Sequence, residues 1–461
     1  MAVLRTASVL LLALVAGCSS TTGRDAPSSS APARAAVSPA PAPAGGDWPT
    51  YHRDAARTGV ASGVPQVGKL AKAWTADLDG AVYGQPLVVG NTVLAATEGD
   101  SVYALDRATG KVKWRRNLGT PVPLDTLPCG NIDPLGITGT PVYDPGSGRV
   151  YVVAETSGYR HVLAGLNVKD GTVALRRDIP APDGNPRNDQ QRPALLLGHG
   201  RVYVAFGGLI GDCGQYKGSV VGVPVSGSGP MVTYVVPTSR MGAVWAPGGP
   251  TMGADGTIYI TVGNGAATSG AFDDSDSVTA LSPDLKPQAL FAPKVWADDN
   301  VHDLDLGSMS PALVGADRVL MAGKRGVAYL LRRPELGGPG KIGGEIAQQK
   351  VCGAYGGPAV AGTTVYMPCI DGGMAAVSVA GDQIKVRWRG PSGAAGSPVV
   401  GGGAVWVADW SAGKLYALDP ATGDVRQHLS VGELPHFVSP TLSGDLALIG
   451  TMHGVVAVHG A

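Results

Sequence analysis

The stretch Val102-Tyr-Ala-Leu-Asp-Arg-Ala-Thr-Gly-Lys-Val-Lys-Trp114 decides the fold of this chain. Apolar and polar residues alternate with a period of two on either side of Asp106 to Gly110, and that central segment has the composition of a turn. The stretch therefore predicts two short strands joined by a bend.

Copies of this strand-turn-strand unit occur along the chain. Leu415-Tyr-Ala-Leu-Asp-Pro-Ala-Thr-Gly-Asp-Val425 repeats it closely, and looser copies occupy residues 162–173 and 278–285. A repeat of about 40 residues with four short strands per unit is typical of a β-propeller, because one small sheet cannot bury its faces until neighbouring sheets stack on it.

The number of units predicts the number of blades. Units occupy residues 82–118, 136–179, 191–237, 245–293, 306–349, 354–391 and 395–431, and an incomplete one begins at residue 436. Because the incomplete unit lacks a strand, the early strand Leu70 to Leu78 is expected to complete it and close the ring. We predict an all-β, eight-bladed propeller of four-stranded antiparallel blades over residues 47–461, with seven blades as the alternative.

The units begin with strands of small residues, such as Gly84-Gln-Pro-Leu-Val-Val89 and Gly396-Ser-Pro-Val-Val400. Innermost strands of a propeller crowd around the axis, where small side chains fit. Any small-molecule chemistry is therefore expected where these strands converge.

The N-terminal residues predict secretion and a membrane anchor. Arg5, the apolar residues 7–16 and the small-residue pattern Val15-Ala-Gly-Cys18 indicate a lipoprotein signal peptide over residues 1–18, with Cys18 as the lipid-modified residue. The alternative is an ordinary signal peptide, which would leave a secreted soluble protein. Residues 19–46 are rich in Ser, Ala, Pro and Thr and predict a disordered tether. The expected location is extracytoplasmic, with the protein lipid-anchored to the cell membrane.

The net charge indicates which classes of partner to expect, and the cysteine content indicates which disulfides to expect. The formal net charge is +0 and no Lys/Arg run alternates with aromatic residues, so nucleic acid is not expected as a partner, and we expect a monomer. Outside the cytoplasm the four remaining cysteines predict two disulfides, for which three connectivities exist. Pairing of Cys352 with Cys369 is favoured because about one hairpin separates them, which leaves Cys129 with Cys213. The sequence contains no Cys-x-x-Cys-His, so no covalent c-type haem is expected.

The repeated Tyr-Ala-Leu-Asp-x-x-Thr-Gly-x-x-x-Trp pattern resembles the repeats of pyrroloquinoline quinone (PQQ) propellers, the fold of quinoprotein alcohol dehydrogenases. Non-catalytic relatives, including the outer-membrane assembly lipoprotein, share this fold. The resemblance covers residues 47–461 and implies a PQQ-binding-like propeller. The repeat by itself does not imply catalysis.

Three residues match metal ligands that the resemblance implies. The segment from Ala154 to Ala164 is similar to one whose glutamate binds the metal, which implies Glu155 as a ligand. Gly263-Asn-Gly265 is similar to the turn whose asparagine is the next ligand, here Asn264. Asp305 would be a further carboxylate near the metal, as in the lanthanide-using members. Carboxylate and amide oxygens are suited to Ca²⁺ or a lanthanide.

The resemblance also implies a cofactor platform and a catalytic base. Trp245, in Val244-Trp-Ala-Pro-Gly-Gly-Pro250, stands where the family places a tryptophan under the cofactor ring, and Lys324 stands where a basic residue faces the quinone oxygens. Asp303, in His302-Asp-Leu-Asp-Leu-Gly307, would take the proton of the alcohol as hydride leaves.

Each of these residues also has a purely structural interpretation. Glu155 and Asn264 could cap turns at blade edges. Trp245 could pack between blades, and Asp303 with Asp305 could be turn residues at strand ends.

Two functions are consistent with these features. In the first, a membrane-anchored, metal- and PQQ-dependent dehydrogenase oxidises an alcohol or a sugar and passes electrons to an external acceptor. In the second, the propeller is a non-catalytic scaffold that binds another protein of the cell envelope. The sequence lacks the adjacent Cys-Cys pair with which the related enzymes cover the cofactor, and this departure leaves both hypotheses open.

Overall fold

The computed structural model describes residues 46–460, and these form an eight-bladed β-propeller of antiparallel sheets. The predicted blade number is therefore confirmed, and seven is wrong. The predicted signal peptide with its Cys18, and the predicted tether as far as residue 45, lie outside the described residues. Within residues 46–460, no helix combines the length and the apolar character that a membrane crossing requires.

The strands of the first four blades run in sequence order from the axis outward. Blade 1 consists of Leu87–Val89, Thr92–Ala96, Ser101–Asp106 and Val112–Asn117. Blade 2 consists of Val142–Asp144, Arg149–Thr156, Arg160–Asn167 and Val173–Ile179. Blade 3 consists of Leu196–Gly198, Arg201–Gly208, Ser219–Pro224 and Val232–Val235, and the short strand Asp189–Gln190 also pairs with its second strand. Blade 4 consists of Thr251–Met252, Ile258–Val262, Ser277–Leu281 and Pro287–Phe291.

The other four blades are also built from the axis outward. Blade 5 consists of Ala312–Val314, Arg318–Ala322, Val327–Arg332 and Ala347–Lys350. Blade 6 consists of Ala359–Ala361, Thr364–Cys369, Gly373–Ala380 and Gln383–Arg389. Blade 7 consists of Val399–Gly401, Ala404–Asp409, Lys414–Leu418 and Val425–Ser430. Blade 8 consists of Thr441–Ser443, Leu446–Thr451, Gly454–His459 and Ala71–Asp77.

Within residues 46–460, three short helices lie in the connections between blades. A 3-10 turn, Leu124–Thr126, lies between blades 1 and 2. The α-helix Trp296–His302 and a second 3-10 turn, Leu306–Ser308, both lie between blades 4 and 5.

The ring is closed by two strands that are distant in sequence. Ala71–Asp77 pairs antiparallel with Gly454–His459, so that Ala71 lies opposite His459 and Asp77 lies opposite Gly454. This pairing confirms the prediction that an N-terminal strand completes the last blade.

Neighbouring blades are joined by the tryptophan and the glycine of the repeat. The indole Nε1 of Trp114, on the outer strand of blade 1, donates a hydrogen bond of 2.9 Å to the Val168 carbonyl in blade 2. The ring also covers Gly171, where an added Cβ would lie 2.6 Å from Trp114 Cε3. The same contact recurs between Trp74 and Gly110 and between Trp388 and Gly423. The repeat therefore encodes contacts between blades as well as the hairpin within each blade.

The segment 47–60 fills the axis of the ring. The imidazole of His52 bonds the Pro358 carbonyl at 3.1 Å and Ser439 Oγ at 3.0 Å, on blades 6 and 8. The guanidinium of Arg57 donates to the Leu195 carbonyl at 2.9 Å, next to blade 3. Both side chains are fully buried. These contacts are with residues at the start of the innermost strands, so the segment blocks the axial channel there.

Candidate functional site

A cavity of about 580 Å³ opens on the axis where the innermost strands converge. The residues that precede the innermost strands of blades 1, 3, 6 and 8 line it, namely Tyr83, Arg192, Tyr355 and Phe437. The segment 47–60 lies farther along the axis than these four residues, because it contacts residues that come closer to the start of the innermost strands. A cavity of this size is typical of small-molecule sites.

Four of the residues proposed from the sequence meet on one wall of this cavity. Lys324 Nζ lies 2.6 Å from Asp303 Oδ1 and 2.8 Å from Asp305 Oδ2. Asn264 Nδ2 donates to the same Asp303 oxygen at 2.7 Å, and the Asn264 backbone N–H donates to Asp305 Oδ1 at 2.5 Å. The four side chains therefore form one continuous charged and hydrogen-bonded group, which we call the acid–lysine cluster.

The backbone around the acid–lysine cluster explains its geometry. Asp303 ends the helix Trp296–His302 in the left-handed conformation, with φ 54°, which turns the chain towards the cavity. The buried carboxylate of Asp276 then accepts the Leu306 N–H at 2.9 Å and holds the following turn. The Lys324 N–H donates to the Asp305 carbonyl at 2.8 Å, which ties this turn to blade 5.

Arg325 attaches the same helix to blade 5. Its guanidinium forms ion pairs with Asp298 and Asp299 in the helix. The helix that carries Asp303 is therefore held next to the strand that leads to Lys324. The short helix itself is not predicted by the sequence analysis.

Burial and the neighbouring charges have opposite effects on the pKa values of Asp305 and Lys324 in the cluster. Burial raises the pKa of Asp305, while the Lys324 ammonium opposes that rise by favouring the carboxylate. Burial alone would lower the pKa of Lys324, but Asp305 and Asp303 together raise it above its ordinary value. The ionised forms of the lysine and the aspartates thus stabilise one another.

Aromatic rings form the rest of the inner wall. The Trp245 ring centroid lies 6.3 Å from that of Tyr355 and 6.1 Å from that of Phe437. An added Cβ at Gly263 would lie 3.3 Å from the Trp245 Nε1 and would also collide with the Asp305 carboxylate. The glycine before Asn264 therefore lets the tryptophan approach the acid–lysine cluster.

Glu155 does not lie on this wall. It is 2% exposed, its carboxylate lies 3.2 Å from the His161 Nε2, and it does not line the cavity. The reason is local, because the Glu155 N–H bonds the Gly136 carbonyl of the connection that covers this end of blade 2. The resemblance implies Glu155 as a metal ligand together with Asn264 and Asp305, but the structure does not bring Glu155 to the same wall.

Several lining residues were missed by the sequence analysis. Tyr83, Arg192, Tyr355 and Phe437 each stand four positions before the first residue of an innermost strand. A large residue just before the small-residue strands was the available signal. Asp212, in the loop after the second strand of blade 3, also lines the cavity.

Both disulfides brace connections at the mouth of the cavity. Cys129 is bonded to Cys213 and Cys352 to Cys369, with Cα–Cα distances of 6.1 and 5.6 Å, and this is the pairing that the sequence favours. The first joins the connection that supplies the lining residues Asn131 and Ile132 to the loop that supplies Gly211 and Asp212. The second lies beside Ile370 and near Tyr355.

The donor atoms in the cavity suit a hard cation better than a soft one. Asn264 Oδ1 is buried and has no hydrogen-bond partner among the described residues. Within residues 46–460, no three His, Cys, Asp or Glu side chains are arranged to hold a metal by themselves. The Asn264 Oδ1 and the Asp305 carboxylate are the oxygens in this wall that are of the type a hard metal ion prefers.

Comparisons with known proteins agree with the fold. A family model described as outer membrane protein assembly factor BamB matches residues 44–261 and 294–429. No curated protein matches the sequence.

Solved structures of two dehydrogenases and of BamB are similar to this propeller. The quinohemoprotein alcohol dehydrogenase from Comamonas testosteroni shares 16% identity at a TM-score of 0.63, over 90% of this chain and 80% of that one. A europium-containing methanol dehydrogenase shares 15% identity at 0.65, over 90% and 98%. BamB from Moraxella catarrhalis shares 15% identity at 0.60, over 85% and 100%. At such identities the similarity shows the fold alone.

Proposed function

The chain belongs to the family of the outer membrane protein assembly factor BamB, a family of PQQ-like β-propellers, and from that premise we propose that this member is a PQQ-dependent dehydrogenase. We further propose that it is lipid-anchored outside the cytoplasm through Cys18. The substrate would be an alcohol or a sugar hydroxyl, and the electrons would pass to an external acceptor.

The observation that carries this proposal is the acid–lysine cluster beside Trp245 in an axial cavity. Trp245 would contact the flat face of PQQ, and Asn264 with Asp305 would supply oxygens to Ca²⁺ or a lanthanide. The chemistry that such a group supplies is acceptance of hydride by a quinone that a metal ion polarises. Names of similar structures, an alcohol and a methanol dehydrogenase, support the same assignment.

Asp303 is suited to take the proton of the substrate hydroxyl. Its Oδ1 already accepts hydrogen bonds from Asn264 and Lys324, which orient the carboxylate. No hydrogen bond within the described part of the chain uses its Oδ2, and the side chain is 69% exposed. A free carboxylate oxygen in a cavity can reach a bound hydroxyl, as a general base requires.

The test is a titration of the purified protein with PQQ in the presence of Ca²⁺ or La³⁺. Quenching of tryptophan fluorescence measures binding, and reduction of a dye with a panel of alcohols and sugars measures turnover. We expect Asn264→Ala to weaken metal-dependent binding and Asp303→Asn to abolish turnover while binding persists. Asp273→Asn, outside the cavity, is the control. Absence of saturable PQQ binding with either metal would refute the proposal.

A scaffold without catalysis is the second candidate function. Ile210 and Ile370 line the mouth of the cavity and are 59% and 44% exposed, so two large apolar side chains are exposed around the same opening. A partner protein of the cell envelope would cover them. In that case the wild-type protein would bind no PQQ, and Ile210→Asp together with Ile370→Asp would reduce co-purification of the envelope partner.

A further inference from the structure

Arg192 is a cation in the cavity that lacks a carboxylate partner. It is half-buried and lines the cavity just before the innermost strand of blade 3. Among the described residues no Asp or Glu oxygen lies within ion-pairing distance of its guanidinium. Its one hydrogen bond is from Nη2 to the His436 carbonyl, at 3.3 Å.

Comparison with two other cations shows that the lack of a carboxylate partner, together with unused N–H donors, is unusual for the site. Lys324, the other cation in the cavity, is neutralised by two aspartates. Arg57 is buried below the cavity, and all three of its guanidinium nitrogens donate to protein acceptors. A guanidinium has five N–H donors, so most of those on Arg192 are unused. Burial also lowers the pKa of Arg192, and the opposing effects of Tyr83 and Glu98 do not cancel that shift.

An aromatic surface lies beside this guanidinium. The Arg192 Cζ lies 4.9 Å from the centroid of the Phe437 ring, and that centroid lies 6.1 Å from Trp245. The acid–lysine cluster, which carries the aspartates, lies beside the Trp245 indole, since both approach Gly263. An anionic group of a ligand would be repelled there and attracted to Arg192.

We propose that Arg192 binds a carboxylate of the molecule that occupies the cavity, and that this molecule is a planar aromatic acid. The inference deepens the proposed function, on which it rests for the choice of PQQ as the main probe. A guanidinium and a carboxylate match in geometry and can form two parallel hydrogen bonds. Arg192 thereby sets the orientation of the ligand, with its acid end away from Asp303 and Asp305.

The experiment compares PQQ with its neutral trimethyl ester by quenching of tryptophan fluorescence. In the wild-type protein the acid should bind more tightly than the ester, and added salt should weaken only the acid. Arg192→Gln should weaken binding of the acid by about 10- to 100-fold, the range expected for hydrogen bonds to a charged group, and leave the ester unchanged. Arg192→Lys should restore part of the loss, because the charge returns without the planar geometry.

Arg187→Gln is the matched control. Arg187 is an exposed arginine that lies over Tyr159 and does not line the cavity, so its replacement should change neither titration. Thermal unfolding of each variant checks that the propeller is intact. If Arg192→Gln unfolds, the inference is tested by the salt dependence of acid binding to the wild-type protein and by the affinity of the Arg192→Lys variant for the acid.

Two further outcomes separate this inference from the proposed function. A second probe pair, 2-naphthoate and 2-naphthamide, tests carboxylate recognition without a quinone. Arg192-dependent preference for the acid in either pair supports the inference even when no dye is reduced. If the protein reduces dye but binds acid and ester equally, the inference is wrong and the proposed dehydrogenase function still stands. The same holds if Arg192→Gln weakens the binding of both probes equally. No binding of any acid probe also overturns the inference.

Discussion

Lys324 and Asp303 form an ion pair of 2.6 Å in the wall of the axial cavity, although 21 residues separate them in sequence. The lysine stands at the end of a blade 5 strand, and the aspartate ends a helix in the preceding connection. The pair therefore depends on how blades 4 and 5 are joined. Because the lysine also contacts Asp305, its removal leaves two neighbouring carboxylates without a counter-charge.

The first prediction concerns this lysine. If the protein is the proposed dehydrogenase, Lys324→Met should lower dye-linked alcohol oxidation by about 100-fold, since in that mechanism the positive charge orients the base and faces the developing negative charge. Lys324→Arg should retain more activity, because the charge is kept. Lys341→Met, which removes an exposed ion pair with Asp274, is the control. Equal activity of Lys324→Met and Lys341→Met would contradict the role assigned to Lys324.

The second prediction tests the contact between blades through two glycines of blade 2. Gly171 and Gly148 both have positive φ, 71° and 67°, but only Gly171 lies under a tryptophan, while nothing lies within 4 Å of a Cβ at Gly148. Replacement by Ala should cost about 1 kcal/mol at either site because of the backbone conformation, and about 1–3 kcal/mol more at Gly171 because of overpacking. Urea unfolding measures both. Equal losses would show that the Trp114 contact does not couple the blades.

The third prediction concerns the disulfides. They span 84 and 17 residues, so loop closure predicts a loss of about 4.5 kcal/mol for Cys129→Ser with Cys213→Ser and about 3 kcal/mol for Cys352→Ser with Cys369→Ser. Chemical unfolding with and without reductant measures the two losses. Thiol titration of the denatured, unreduced protein should find none of these four cysteines free, and four free thiols would refute both bridges.

The fourth prediction is that stability falls as pH rises from about 5 to 8. Burial raises the pKa of Glu98 and of Asp100 to about 8 each, whereas both groups titrate near pH 4 when unfolded. Between these values the folded state holds protons that the unfolded state has released, so higher pH favours unfolding. The free energy of unfolding should drop by on the order of 2 kcal/mol or more.

Urea unfolding at pH 5 and at pH 8 measures this dependence. Glu98→Gln should reduce the slope by about half, because the amide oxygen can still accept the Gly136 N–H that Glu98 Oε2 accepts at 2.7 Å, while Asp100 still titrates. Glu335→Gln, at an exposed position, should leave the dependence unchanged. A wild-type profile that is flat or rises with pH would contradict the prediction.

The fifth prediction concerns the proposed lipid anchor. Cys18→Ser should move the protein from the membrane fraction to the soluble fraction or block its processing, since the lipid would have no attachment atom. Fractionation and the intact mass of the mature protein are the measurements. A variant that stays in the membrane fraction with the wild-type mature mass would refute lipidation at this cysteine.

The sequence predicted the fold well because its evidence is local and repeated. The turn that contains Gly110 recurs in each clear copy, and the structure uses its glycine both within the hairpin and in the contact between blades. Closure by the strand near residue 70 was predictable for a similar reason, since the last unit lacked a strand. Such inferences need no knowledge of distant contacts.

The cavity was harder to predict because blades that are distant in sequence contribute to it. Asn264, Asp303 and Lys324 were named from short motifs, and the structure brings them together. Glu155 was named in the same way but is paired with His161 under a connecting segment, which no motif reveals. Arg192 carries no motif, and the role proposed for it depends on the lack of an ion-pairing carboxylate within residues 46–460.

The segment 47–60 that blocks the axis has a kinetic consequence. Because His52 and Arg57 anchor it to several blades, a molecule in the cavity must leave by the mouth through which it entered. In the proposed dehydrogenase, incoming substrate and outgoing oxidised product would then share one path past the exposed side chains of Ile210 and Ile370. Release of product would precede entry of the next substrate, and accumulated product would compete directly with substrate for the enzyme.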